Sequence, residues 1–408
     1  MYGLIGKTLG HSFSPQLHRW MWGCEYRLLP MDEAAAEQFF TQRAFDGVNV
    51  TIPYKQLALR LCDEVDDRAE RIGAVNTVVN RGGRLYGYNT DYDGLSACIR
   101  RAGISLLGRK VLILGTGGTS RTAHAVAEDL GAEEIVTISR SGPDNYENIR
   151  RHAGAEILIN TTPVGMYPAA GAAAVDIGVF PNLQGVVDAV YNPLTTYLVD
   201  QARQRGIPAT CGLPMLVIQA QRAGEHFSGR RISDASAEAA LRRITAEQTN
   251  LVLMGMPGSG KSTVGAMLGK RLGRPFVDLD EEVVRTAGKP ISEIFDSGGE
   301  DAFRNIESQV LRQVSARHGI VLALGGGTAV REENRYFIRQ NGRVYYLQRP
   351  LESLSGEGRP LSKSPEAIRA LYEERREVYQ SMADVSVDCS ACGTEEAAAI
   401  IAKEWQSL

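Results

Sequence analysis

The stretch NLVLMGMPGSGKST, residues 250–263, constrains its part of the chain more than any other segment. An apolar run reads as a buried strand, glycines at 255, 258 and 260 read as a turn, and TVGAMLGKRL continues as a helix. The pattern G-x-x-x-x-G-K-[ST] between a strand and a helix predicts a phosphate-binding loop at the edge of a parallel α/β sheet. Glycines let backbone N–H groups wrap a polyphosphate at a helix N-terminus. Gly258, Ser259, Gly260, Lys261, Ser262 and Thr263 are the expected cradle for ATP. Lys261 is expected at the β- and γ-phosphates and Ser262 at Mg²⁺. The next strand ends in Asp278 and Asp280, which would lie over the ligand crevice. One could serve the metal and the other could take a proton from a substrate hydroxyl, or the pair could cap the helix that follows.

About 250 residues precede this loop, enough for a complete enzyme. They carry the same rhythm of apolar strand, glycine turn and helix, first in YGLIG and GVNVTIP, then in KVLIL, EIVTIS, EILIN and GVVDAV. Three parallel α/β sheets are the expectation. DASAEAALRRITAEQ, residues 234–248, reads as a helix capped by Asp234, and a short junction without a Pro/Gly/Ser-rich tether then leads into residue 250.

A net charge of −3 demands no basic face, so nucleic acid and membrane surfaces are not expected partners. No apolar run approaches the roughly 20 residues that span a bilayer. Six cysteines scattered through 408 residues suit a reducing cytoplasm. Cys389 and Cys392 form a C-x-x-C pair without the further ligands that zinc requires, and read as incidental.

VLILGTGGTSR, residues 111–121, is strand, glycine turn and helix start. Gly115, Gly117 and Gly118 fit a dinucleotide fingerprint, although Ser120 stands where the third glycine falls. Arg140 follows Ser139 at the end of the next strand, where an NAD enzyme would carry an acid. A guanidinium there attracts a 2′-phosphate, which favours NADP over NAD.

After the phosphate loop come EDAFRNIE, LGGGT, GRPL and EERREVY, in that order. Together with it they resemble the shikimate kinase family across about residues 250–408. The resemblance implies an adenylate-kinase-like P-loop α/β domain that phosphorylates the 3-hydroxyl of shikimate. It implies Arg304 and Arg375 at the substrate carboxylate, Asp280 at the ring hydroxyls as the base, and Asp278 on the Mg²⁺ side. Gly326 and Gly327 would floor the pocket, and Arg359 would meet ATP from a lid. The lid stretch is short for the family and lacks a second arginine before Arg359.

The amino-terminal part is similar to shikimate dehydrogenase over roughly residues 1–245. The similarity rests on HSFSP, NVTIPYK, GAVNT, YNTDYDG, INTTPVGM, DAVYNPLTT and GLPMLVIQA, in that order. It implies NADPH-dependent reduction of 3-dehydroshikimate, with Lys55 and Asp91 as the catalytic pair. Ser12 and Ser14 would bind the carboxylate, Thr51, Asn76 and Gln219 the ring hydroxyls, and Tyr191 the substrate. Thr116 and Thr119 replace the usual alanines of the glycine loop. The implied organisation is a substrate domain at residues 1–95 completed by about 210–246, a Rossmann NADP domain at 96–209 and a kinase domain at 247–408.

The product of the first half would be the substrate of the second, so the fusion places consecutive steps in one chain. Free diffusion of shikimate between the two sites is the expectation. The residues leave two rival readings open. One is a quinate/shikimate-type NAD dehydrogenase joined to another small-molecule kinase, such as a gluconate-type kinase. The other is a nucleotide-binding scaffold without turnover.

Overall fold

The computed structural model describes residues 1–10, 12–354, 364–390 and 392–407. Arg359 and the expected lid around it lie outside the described residues. The chain divides into two units, residues 1–192 with 196–243 and residues 193–195 with 244–408.

The first unit holds two sheets. One is built from β1 (Tyr2–Gly6), β2 (Tyr26–Pro30), β3 (Gly47–Val50), β4 (Glu64–Val65), β5 (Thr77–Arg81) and β6 (Arg84–Tyr88), in the order β2-β1-β3-β5-β6-β4. The expectation of a parallel sheet fails here. β5 runs antiparallel to both β3 and β6, because β5 and β6 form a hairpin across Gly82 and Gly83, both at positive φ. The second sheet is parallel throughout its described ladder. It contains β7 (Lys110–Leu114), β8 (Glu134–Ile138), β9 (Ile157–Asn160), β10 (Gly185–Asp188) and β11 (Ala209–Thr210), in the order β11-β10-β9-β7-β8. The order reverses between β7 and β9, which opens a crevice at their carboxyl ends.

The helices Asp91–Arg101 and Leu213–Ser228 cross closely at Gly94, where a Cβ would lie 2.6 Å from the Met215 carbonyl oxygen. That contact sets Asp91 and Gln219 on neighbouring helices facing one space. The helix Asp234–Gln248 forms as expected, but Asp234 is not its cap. Ser233 accepts from the Ser236 N–H at 3.2 Å, while the Asp234 carboxylate accepts from Gln221. A hydroxyl one residue earlier reaches the free N–H groups of the first turn.

His18, fully buried in the helix Ser14–Trp22, accepts at Nδ1 from Trp22 Nε1 (2.9 Å) and stacks on Tyr26, with ring centroids 4.2 Å apart. Burial pushes its pKa down to about 3, and an interaction with Asn49 offsets only part of that. The folded value lies below that of the unfolded chain. Stability is therefore complete above pH ~6.5 and is lost as the pH falls toward 3, with a slope approaching ~1.4 kcal/mol per pH unit. Urea unfolding followed by tryptophan fluorescence should show this loss, and His18→Phe should flatten it. An equal slope in the variant would contradict a neutral buried imidazole.

The second unit is one parallel sheet of β12 (Asn250–Met254), β13 (Phe276–Asp278), β14 (Val321–Ala323), β15 (Gly342–Gln348) and β16 (Val385–Asp388), in the order β13-β14-β12-β15-β16. Alternation along β12 explains why the sheet is covered twice. Leu251 and Leu253 pack with Val264, Leu268 and Ile401 from the helices Lys261–Leu272 and Thr394–Gln406. Val252 and Met254 pack with Val310, Leu311 and Val314 of the helix Ile291–Val314. Among the described residues no helix is long and apolar enough to cross a membrane, and all six cysteines are free thiols.

Candidate active sites

In the first unit, all eight residues expected at the substrate converge on one cavity of about 180 Å³. Ser12, Ser14, Thr51, Lys55, Asn76, Asp91, Tyr191 and Gln219 line it, with Thr119 of the glycine loop and apolar neighbours that include Leu4, Val50 and Met215. Lys55 begins the helix Lys55–Leu61 and Asp91 begins the helix Asp91–Arg101, so two helix starts aim their side chains at each other. Lys55 Nζ donates to Asp91 Oδ2 at 2.5 Å, and the two side chains are 12% and 11% exposed. The aliphatic stem of Lys55 runs beside the glycine loop, since a Cβ on Gly118 would lie 3.1 Å from Lys55 Cδ. A proton donor thus stands between a polar cavity and the loop expected to hold a dinucleotide.

Ser12 and Ser14 lie at a helix start and bond to each other. Ser12 Oγ donates to Ser14 Oγ at 3.2 Å and accepts from the Ser14 N–H at 3.3 Å. They are turn residues and cavity residues at once. Asn76 is held by Thr90, whose N–H donates to Asn76 Oδ1 at 2.7 Å while Asn76 Nδ2 donates to Thr90 Oγ1 at 3.1 Å. Burial pushes the Tyr191 phenol above its ordinary value. Tyr191 follows a loop pinned by Asp188, which accepts from Asn160 (2.9 Å), Thr196 (2.7 Å) and the Val190 N–H (3.0 Å). Burial raises the Asp188 carboxyl to about 6 against those three bonds.

Gly115, Gly117 and Gly118 lead from β7 into the helix Gly118–Asp129, at the reversal of strand order. Gly117 faces open space, as an approaching phosphate requires. Ser120 takes the place of a third glycine usefully: its hydroxyl donates to the Gly115 carbonyl at 2.6 Å and closes the turn. Ser139 and Arg140 follow β8. Ser139 Oγ accepts from the Gly142 N–H at 2.7 Å, and Arg140 is exposed.

Asn49 was not among the expected residues, yet it lines the cavity. It accepts from Tyr26 (2.7 Å) and donates to the Asn76 carbonyl (3.2 Å) and Thr77 Oγ1 (2.9 Å). Its place inside NVTIPYK was the available signal.

In the second unit, Gly258 and Gly260 adopt positive φ, and the loop passes from β12 into the helix Lys261–Leu272. Lys261 Nζ folds onto the carbonyls of Gly255 and Met256, both at 3.0 Å. Ser259 is buried within the loop, and Ser262 and Thr263 stand exposed at the first helical turn. Ser262 Oγ donates to Asp278 Oδ2 at 2.5 Å, and Asp278 Oδ1 caps the next helix by accepting from the Asp280 N–H at 2.9 Å. Asp278 therefore serves as a cap and faces the loop hydroxyl. A hydroxyl and a carboxylate side by side suit Mg²⁺, which keeps much of its water and needs few protein ligands. Among the described residues no cluster of three His, Cys, Asp or Glu could hold a metal.

Arg304 and Arg375 meet at one turn. The Arg304 guanidinium lies against Gly327, where any Cβ would fall 2.2 Å from Nη2. Arg375 Nη1 donates to the Gly326 carbonyl at 3.0 Å, and Tyr379 donates to the same oxygen. Both arginines are buried, at 9% and 4% exposure, and Arg375 Nε has no hydrogen-bond partner. Asp280 Oδ1 comes close to the neighbouring Gly325. Glu307 was missed, although it follows Arg304 by three residues on one helix face. Fully buried, it accepts from Arg304 Nη1 (2.9 Å) and Thr328 (2.7 Å).

Residues 4–78 match the family model described as the shikimate dehydrogenase substrate binding domain, and residues 257–406 match the model described as shikimate kinase. The chain is 34% identical over 259 residues to a shikimate dehydrogenase (NADP(+)) of Clostridium perfringens, covering 58% of this chain and 96% of that protein. It is also similar to the crystal structure of shikimate dehydrogenase 1 from Peptoclostridium difficile. The TM-score there is 0.56 at 32% identity, over 60% of this chain and 97% of that one. A further likeness is to the Thermus thermophilus enzyme solved in complex with NADP(H) and shikimate, with TM-score 0.54 at 32% identity over 59% and 98% of the two chains.

Proposed function

We propose, from the premise that the chain belongs to the shikimate dehydrogenase family and carries a shikimate kinase domain after it, that it catalyses two consecutive reactions. The first is NADPH-dependent reduction of 3-dehydroshikimate to shikimate. The second is ATP-dependent phosphorylation of shikimate to shikimate 3-phosphate. The observation that carries the reading is the assembly of each half's chemistry in one place: Lys55 on Asp91 in a polar cavity, and Arg304 with Arg375 at the turn of Gly326 and Gly327.

In the first half, NADPH when bound supplies a hydride to the ring carbonyl carbon. The Lys55 ammonium gives a proton to the oxygen that gains the negative charge, and the Asp91 carboxylate holds that ammonium in place. Ser12 and Ser14 hydroxyls donate to the substrate carboxylate, and Thr51, Asn76 and Gln219 orient the ring hydroxyls, with Tyr191 against the substrate. Gly115, Gly117, Gly118 and Thr119 cradle the pyrophosphate, and Ser139 and Arg140 take the 2′-phosphate. In the second half, Lys261 leaves its loop carbonyls for the β- and γ-phosphates, and residues 258–263 wrap them. Ser262 and Asp278 would hold Mg²⁺, which neutralises phosphate charge. Asp280 accepts the proton of the attacking hydroxyl while Arg304 and Arg375 fix the carboxylate by charged hydrogen bonds of ~1.5–3 kcal/mol each. We assign residues 1–95 with about 210–246 to the substrate domain, 96–209 to the NADP domain and 247–408 to the kinase. Six free thiols suit the cytoplasm.

Separate assays test the two halves: NADPH oxidation with 3-dehydroshikimate, and ADP release with shikimate. 3-Dehydroquinate in place of 3-dehydroshikimate, or gluconate in place of shikimate in the kinase assay, should give far slower turnover; a preference for either would overturn the substrate assignment. For the cofactor, Arg140→Ala should raise the KM for NADPH by roughly 10–100-fold and leave that for NADH nearly unchanged. Equal losses with both cofactors would contradict a 2′-phosphate contact.

A further inference from the structure

The described kinase half contains a cation that the reactions above do not use. Arg349 follows β15, whose Tyr346 is in register with Met254 of β12, the strand that runs into the phosphate loop. Adjacent parallel strands end side by side, so the residue after β15 stands beside that loop. Its guanidinium rests on Gly260: a Cβ there would lie 3.7 Å from Arg349 Nη2, 4.0 Å from Cζ and 3.2 Å from Thr394 Cγ2. Gly260 is the N-cap of the helix Lys261–Leu272 and has φ 89°, a conformation natural to glycine.

The placement sets a cation beside positive potential. The N-terminus of a helix carries about half a positive charge, and Lys261 adds a full one. Arg349 is partly buried, its Nε is buried without a hydrogen-bond partner, and it has no ion pair among the described residues. A partly buried cation beside a helix N-terminus, with a buried donor unused, is stabilised when an anion arrives. The loop it touches is the one that receives a polyphosphate, and a guanidinium can give two parallel N–H bonds to phosphate oxygens.

We infer that Arg349 is a nucleotide-binding residue of the kinase half, its guanidinium donating to phosphate oxygens of ATP from the side of the loop formed by Gly260 and Thr394. This rests on the kinase reading for the site but not for the acceptor, so its test omits shikimate. Calorimetric titration of the full chain with ADP, ATP and adenosine, in Mg²⁺, compares wild type with Arg349→Ala, Arg349→Gln and Arg349→Lys. Alanine and glutamine should weaken ADP and ATP binding about 10–100-fold, lysine should recover part of it, and adenosine should bind all four proteins alike. The shikimate KM measured at saturating ATP should stay within about twofold. Unchanged ADP affinity in the glutamine variant, or an equal loss for adenosine, would overturn the inference. If wild type binds ADP but does not phosphorylate shikimate, the acceptor assignment fails and the Arg349 result still stands or falls on its own.

Discussion

Lys55→Ala should lower kcat for 3-dehydroshikimate reduction by about 10²–10⁴-fold while phosphorylation of added shikimate proceeds at the wild-type rate. The range is that of a positioned proton donor removed from a transition state. The geometry gives no ready substitute, since Lys55 alone among the described cavity residues is a cation, and Asp91 is its direct partner. A structural effect accompanies the catalytic one. Without Lys55 the Asp91 carboxylate remains in a mostly buried place without its ammonium, a change that costs about 3 kcal/mol in such pairs. The Lys55→Ala/Asp91→Asn double variant separates the two effects. It should regain stability in urea unfolding and stay catalytically dead. Restored reduction in the double variant would mean that Lys55 supports the fold and not the proton transfer.

Arg304→Ala should cut kcat/KM for shikimate by about 10²–10⁴-fold, mainly through KM, and leave the dehydrogenase untouched. Two charged hydrogen bonds at ~1.5–3 kcal/mol each account for that size. The substitution also leaves Glu307, fully buried, without the guanidinium that neutralises it. Stability of the second unit should fall by ~3–5 kcal/mol. Arg304→Lys distinguishes binding from folding. A lysine keeps a positive charge for Glu307 but cannot present a fork to a carboxylate. It should recover most of the stability and little of the shikimate KM. A lysine variant with normal KM would show that charge alone suffices there and that the fork plays no part. Gly327 makes room for the same guanidinium. Any side chain at that position displaces the Arg304 guanidinium, so Gly327→Ala should reproduce the KM defect.

Both glycine loops were readable in the sequence because backbone geometry there admits few residue types. The order of motifs around them was enough to name both families. The mixed first sheet was not readable, because an apolar strand looks the same whichever way its neighbour runs, and the hairpin at Gly82 and Gly83 was passed over. The Asp234 cap failed for a local reason: Ser233 and Asp234 are both capping residues, and only coordinates show which one faces the free N–H groups. The cavity residues came from family motifs, and chain spacing could not show that Lys55 meets Asp91 across 36 positions. Asn49, Glu307 and Arg349 were missed because each acts through other residues or through a loop distant in sequence. Glu307 left a trace in its three-residue offset from Arg304, and Asn49 left one in its place inside NVTIPYK.

One polypeptide is expected to reduce a ring ketone and then to phosphorylate the alcohol it has made. Purified chain given isotopically labelled 3-dehydroshikimate, NADPH, ATP and Mg²⁺ tests it in one reaction read by mass spectrometry. The expected product is labelled shikimate 3-phosphate, with one NADPH oxidised and one ADP released per molecule formed. Labelled shikimate that accumulates without phosphate, or 3-dehydroshikimate that remains unreduced, would contradict it.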